Sequence, residues 1–99
     1  MTISFKAPEA IRYLFDFGKV YTLRQKQRPV GSHQALFIYG RQKGRATVKR
    51  VEGKLEDLIE SHYRQSGFQT VQLWKEAAIQ LHQTPLSELS LYLVELEID

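Results

Sequence analysis

The apolar periodicity of this chain changes at Leu55 and again near Leu89, and these two changes set the order of its elements. Ahead of Leu55 the pattern is mostly that of strands. Thr2 to Phe5 is a short β-prone run. Val20 to Arg24 is rich in β-branched and aromatic residues, and its alternation puts Tyr21 and Leu23 on one face with Thr22 and Arg24 on the other. Between these runs, Pro8, Glu9 and Ala10 suit the first turn of a helix in which Ile11, Leu14 and Phe15 share a face, and Gly18 can stop it. Lys26 to Ser32, with Pro29 and Gly31, reads as a loop, and Ala35 to Tyr39 as a buried strand. Gly40 to Gly44 then reads as a tight, cationic connection into a strand from Arg45 to about Glu52.

Beyond that point Leu55, Leu58, Ile59 and His62 fall on one helical face, which Gly67 can cap. Thr70 is placed to N-cap a second helix with the apolar stripe Leu73, Trp74, Ala77, Ala78 and Leu81, ending near Pro85. Leu89 to Ile98 returns to strand composition, with Tyr92, Val94, Leu96 and Ile98 on one face and Glu95 and Glu97 on the other. The order predicts an α+β domain with a small, curved sheet of about five strands and two to three helices. A sheet of that kind can close into a β-barrel, and Gly44, Gly53 and the phase change between Val48 and Val51 are the places where it would bend.

A chain of 99 residues supports one domain, residues 1–99, with one core. It contains no cysteine, so disulfides, thiolate nucleophiles and cysteine-based zinc sites are excluded, which suits a reducing compartment. No segment has the form of a signal peptide or the ~20 apolar residues of a membrane span, and the expectation is a soluble, cytoplasmic protein with no membrane partner. His33, His62 and His82 share no short spacing, so no metal and no cofactor is assigned.

Charge is distributed unevenly. Lys19, Arg24, Lys26, Arg28, Arg41, Lys43, Arg45, Lys49, Arg50 and Lys54 stand against Glu52 alone, a segment sum of +9, while residues 55–99 sum to −6. A basic block interrupted by Tyr21, Phe37 and Tyr39 is what phosphate contacts combined with base stacking require. The alternative is that basic and acidic segments lie on neighbouring strands and neutralise one another. Complete pairing would still leave an excess of positive charge.

The run Gly18-Lys19-Val20-Tyr21-Thr22-Leu23-Arg24 resembles the signature of ASCH domains, a glycine followed by Lys-x-x-Thr-x-Arg. The glycine turn Pro29-Val30-Gly31, the Val48 to Val51 strand end, the helix entry Leu55-Glu56-Asp57-Leu58, the Gly67-Phe68 break and the last strand are similar to that family as well. The resemblance implies a PUA-like β-barrel and a role with RNA or a modified nucleoside. Small members of the family include N4-acetylcytidine amidohydrolases that use a lysine, a threonine and a glutamate. The lysine and threonine carry over to Lys19 and Thr22, but the place of the glutamate falls at about Ser66.

Two chemistries remain open for these residues. Lys19 and Thr22 can act as base and nucleophile, in a hydrolase of a modified pyrimidine nucleoside or in a ribonuclease. In a binding protein, Lys19 and Arg24 would contact phosphate or a base edge, with Thr22 adding one hydrogen bond. Lys26, Arg28, Arg41, Lys43, Arg45, Lys49 and Arg50 complete the expected RNA-binding face, with Tyr39 or Tyr21 as a stacking platform and the other in the core. Trp74 is expected to be packing. A protein-interaction module using the acidic face Glu88 to Asp99 is a further reading.

Overall fold

Proline at the first position and glycine just past the last bracket the first helix. Pro8 lacks the N–H that would go unpaired at that position. Gly18, in the left-handed region at φ 79°, donates its N–H to the Leu14 carbonyl and turns the chain out of the helix. The computed structural model describes residues 1–97. The elements run β1 (Thr2–Phe5), α1 (Pro8–Phe17), β2 (Lys19–Gln25), β3 (Gly31–Ile38), β4 (Arg41–Arg50), α2 (Leu55–His62), a 3-10 turn (Tyr63–Ser66), α3 (Val71–His82), a second such turn (Leu86–Glu88) and β5 (Leu89–Leu96). Thr70 caps α3 as expected, its Oγ1 accepting from the Leu73 N–H at 3.1 Å. Ile98 and Asp99, which the sequence reading assigned to the last strand and the acidic face, lie outside the described residues.

The five strands form one sheet in the order β1-β3-β4-β5-β2. β1 joins β3 in parallel, and the β3–β4, β4–β5 and β5–β2 pairs are antiparallel. The sheet curls into half a barrel, and with three helices it makes the α+β architecture that the order of elements predicts.

Two local assignments need correction. The connection between β3 and β4 is the pair Tyr39-Gly40, both at positive φ (51° and 81°), so Arg41 to Gly44 belong to β4 rather than to a loop. Two consecutive positive-φ residues make the tight turn whose twist matches a hairpin. β3 also starts at Gly31 rather than at Ala35. Leu36 faces Gly44 and Phe37 faces Gln42, which leaves Lys43 as the extra residue of a bulge beside Gly44. A second irregularity, between Gly31 and Gln34, is where His33 adopts φ 61°.

Alternation divides the core between the two faces of the sheet. Ile3, Val20, Leu36, Val48, Tyr92 and Val94 pack with Ala10 and Leu14 of α1. On the other face, Leu23, Leu89 and Leu91 pack with Ile59, Phe68, Trp74 and Ala78 from α2, α3 and the segment between them. Trp74 is buried, as its stripe predicts. Among the described residues, no helix is long and apolar enough to cross a membrane.

Candidate ligand site at the seam of the sheet

β1 and β2 are the two edges of the sheet, and they are not bonded to each other. A cavity of about 200 Å³ opens in the seam between them. Ser4, Phe5 and Lys6 form one wall and Tyr21 to Arg24 the other, while Phe68, Trp74 and His82 close it from the helical side. Pockets that hold drug-sized molecules run to roughly 300–1,000 Å³, so this one suits a single ring.

Arg24 is the centre of the cavity's polarity. Strand alternation turns it to the same side as Thr22, and its Nε–H donates to Thr22 Oγ1 at 3.1 Å. Its guanidinium carbon lies 4.7 Å from the centroid of the Phe5 ring, a cation–π geometry. Among the described residues, no Asp or Glu lines the cavity. Burial, followed by the neighbouring charge of Arg28, pushes the Arg24 pKa down to about 10. A cation so placed has lost part of its water without gaining a counterion among the described residues.

His82 is the second polar group. Its Nε2–H donates to the Leu23 carbonyl at 3.0 Å, which leaves Nδ1 as the acceptor of the neutral ring. Burial and the charge of Arg24 lower its pKa, outweighing the opposite effect of the Leu23 carbonyl. The neutral ring is therefore favoured, and the cavity holds a fork of donors, a hydroxyl and an imidazole acceptor between aromatic walls.

The residues expected from sequence to form the site are dispersed. Thr22 and Arg24 line the cavity together. Lys19 is exposed at the start of β2 and does not line it; three positions from Thr22 along a strand, it belongs to the opposite face. The structure does not bring the two together. Arg28 is partly buried in the loop after β2, where its Nη2 donates to the Thr2 carbonyl at 2.6 Å and to Gln34 Oε1 at 2.7 Å. Its Nε has no partner. Lys26 is exposed in the same loop. Tyr39, Arg41, Lys43 and Arg45 are exposed around the β3–β4 hairpin, and the Tyr39 N–H donates to the Phe5 carbonyl at 3.2 Å. The hairpin tip therefore adjoins the β1 wall of the cavity.

Pairing with acids removes only part of the basic face. Lys49 meets Glu95 at 3.3 Å and Arg50 meets Glu52 at 3.9 Å. Among the described residues, Lys19, Lys26, Arg41, Lys43 and Arg45 make no ion pair. Of the two tyrosines, Tyr21 is half-buried and stacks on His62 with centroids 4.3 Å apart, while Tyr39 is exposed. Ser66, at the place of the family glutamate, is fully buried, its hydroxyl donating to the Tyr63 carbonyl and accepting from the Phe68 N–H. It acts as a local brace for Phe68.

Phe5, Lys6, Phe68 and His82 were not anticipated as site residues. They come from three separate parts of the chain, and only the assembled seam makes them neighbours. Among the described residues, no cluster of three His, Asp or Glu side chains could hold a metal ion. Comparison with protein-family models, with curated proteins and with solved structures finds no match. What the fold defines is the class, an α+β domain built on a half-barrel with a cationic, aromatic-walled cavity at its seam.

Proposed function

We propose that this domain binds RNA or a modified nucleoside, with one base in the seam cavity and the adjoining phosphates on the cationic hairpin of β3 and β4. The observation that carries the reading is Arg24, a desolvated guanidinium beside Thr22 in a cavity with aromatic walls and no acid. Donors in that arrangement match the oxygen acceptors of a base edge, and the flat walls match its faces. Arg41, Lys43 and Arg45, free of ion pairs among the described residues, supply the electrostatic part of the affinity. Thr22 and Arg24 also belong to the run that resembles the ASCH signature. Binding is favoured over hydrolysis because Lys19 is outside the cavity and no carboxylate lines it.

The test is fluorescence anisotropy of a labelled single-stranded RNA at several salt concentrations. Log affinity is expected to fall with log salt at about −0.7 per phosphate contacted, and replacing Arg41, Lys43 and Arg45 together by Gln should reduce that slope by about 2. An affinity that ignores salt, or a slope unchanged in the triple variant, removes the hairpin from the reading.

A further inference from the structure

The cavity carries information about charge as well as shape. Of Arg24's polar groups, Nε is occupied by Thr22, and the two terminal amino groups have no acceptor in the protein among the described residues. Lys6 stands on the opposite wall, and among the described residues no acid offsets either cation. A neutral base, even one such as cytosine with adjacent N3 and O2 acceptors, brings no charge to such a fork. A carboxylate presents two coplanar oxygens at the spacing of the guanidinium's parallel N–H groups and supplies the missing negative charge. The walls contributed by Phe5, Tyr21, Phe68 and Trp74 require that this carboxylate be attached to a flat ring, and a cavity of about 200 Å³ limits the ring to one.

We propose that the preferred occupant of the seam cavity is a pyrimidine ring bearing a short carboxylate substituent, with the carboxylate on the terminal amino groups of Arg24 and the ring between the aromatic walls. This rests on the nucleobase reading above and narrows it to acid-modified bases. Thr22 acts as a positioning residue. Its hydroxyl holds Nε and thereby fixes the plane of the fork before a ligand arrives. The neutral His82 ring offers an acceptor to a ring N–H, so the site reads both the substituent and the ring.

The chain supplies its own reporter. Trp74 is the single tryptophan of the sequence and lines the cavity, so an entering ring changes its fluorescence. The experiment titrates the full chain with 5-carboxymethyluridine and with 5-carbamoylmethyluridine, an acid and its near-isosteric neutral amide. It then repeats both titrations on Arg24→Gln. A charge-assisted hydrogen bond exceeds a neutral one by about 1.4 kcal/mol, so the acid is expected to bind at least tenfold tighter than the amide. Arg24→Gln should erase that preference, and circular dichroism of the variant checks its fold. The acid–amide comparison on the unaltered chain stands whether or not the variant folds.

Equal affinity for acid and amide overturns the proposal and leaves the nucleobase reading in place. Salt-dependent RNA binding with no response to either nucleoside overturns the proposal and confines RNA to the hairpin. Failure to bind RNA or either nucleoside removes both readings. A short RNA carrying the acid, set beside the free nucleoside, separates the two sources of the ring. Tighter binding of the RNA, lost at high salt, identifies a nucleotide within a strand as the ligand.

Discussion

The two ends of β2 treat positive charge in opposite ways. At its start, Lys19 lies opposite Glu95 in register, and the same rim carries the Lys49–Glu95 pair and the Glu97 carboxylate, which meets His33 Nδ1 at 2.6 Å and Thr47 Oγ1 at 2.9 Å. At its far end, Arg24 lies opposite Ser90, and no acid among the described residues lines the cavity. At the rim Lys49 is exposed and answered by Glu95, and Lys19 is exposed without an ion pair among the described residues, so each contributes little in either direction. The cation at the seam is half-buried and has no acid against it among the described residues, an arrangement that lowers stability unless something from outside completes it.

The largest effect that can test this contrast comes from Arg24→Met. Replacing an uncompensated, desolvated cation by an apolar side chain of similar length is expected to stabilise the domain by about 1 kcal/mol, even after loss of the bond to Thr22 and the Phe5 contact. At this size that is a rise in Tm of roughly 4–8 °C in a thermal melt, accompanied by loss of ligand binding. A fall in Tm would make Arg24 a structural residue and abolish the distinction between the two ends.

Glu97→Gln is expected to act in the opposite direction and more weakly. The His33 backbone N–H, then the Thr47 hydroxyl and His33 side chain, hold the Glu97 pKa below its ordinary 4.5, against a smaller opposing effect of burial. A depressed carboxyl contributes stability that is fully present above 4.5 and is lost as pH falls through its lower folded value. The variant should therefore melt below the unaltered chain at pH 7, with the gap closing as acid protonates Glu97. A gap that persists at low pH would show that shape rather than charge holds this clasp. The smallest effect belongs to Lys49→Ala, since both partners of its pair are well exposed: about 0.5 kcal/mol or less in denaturant melts, and still smaller at high salt.

Local chemistry explains which parts of this fold were legible in the sequence. Gly18, Thr70 and the alternation through Val20 to Arg24 act on backbone within a few residues, and each does in the structure what its residue type requires. The bulge beside Gly44 follows from the same backbone freedom. The hairpin turn was misplaced because Tyr39 takes a positive φ that few non-glycine residues adopt. The parallel union of β1 with β3 and the order of the strands depend on contacts across the whole chain, which no short window contains. The cavity was legible through Tyr21, Thr22 and Arg24. Its other aromatic walls come from β1, α3 and the segment before α3, and Lys19, the first residue of the motif, does not line it.

The register of β2 against β5, which sets Lys19 beside Glu95 and Gln25 beside Leu89, also governs when the cavity comes into being. One wall is carried by β2, but the strand that anchors it, β5, lies far along the sequence from it. Pairings of such long sequence separation form late, after most of the chain's freedom has been lost. A partly folded molecule therefore lacks the cavity, and any occupant of it would act on the finished state alone. At a hundredfold excess over its Kd, such an occupant would deepen the native well by about 2.7 kcal/mol. A ligand held in the seam would then set the lifetime of the protein against unfolding and proteolysis.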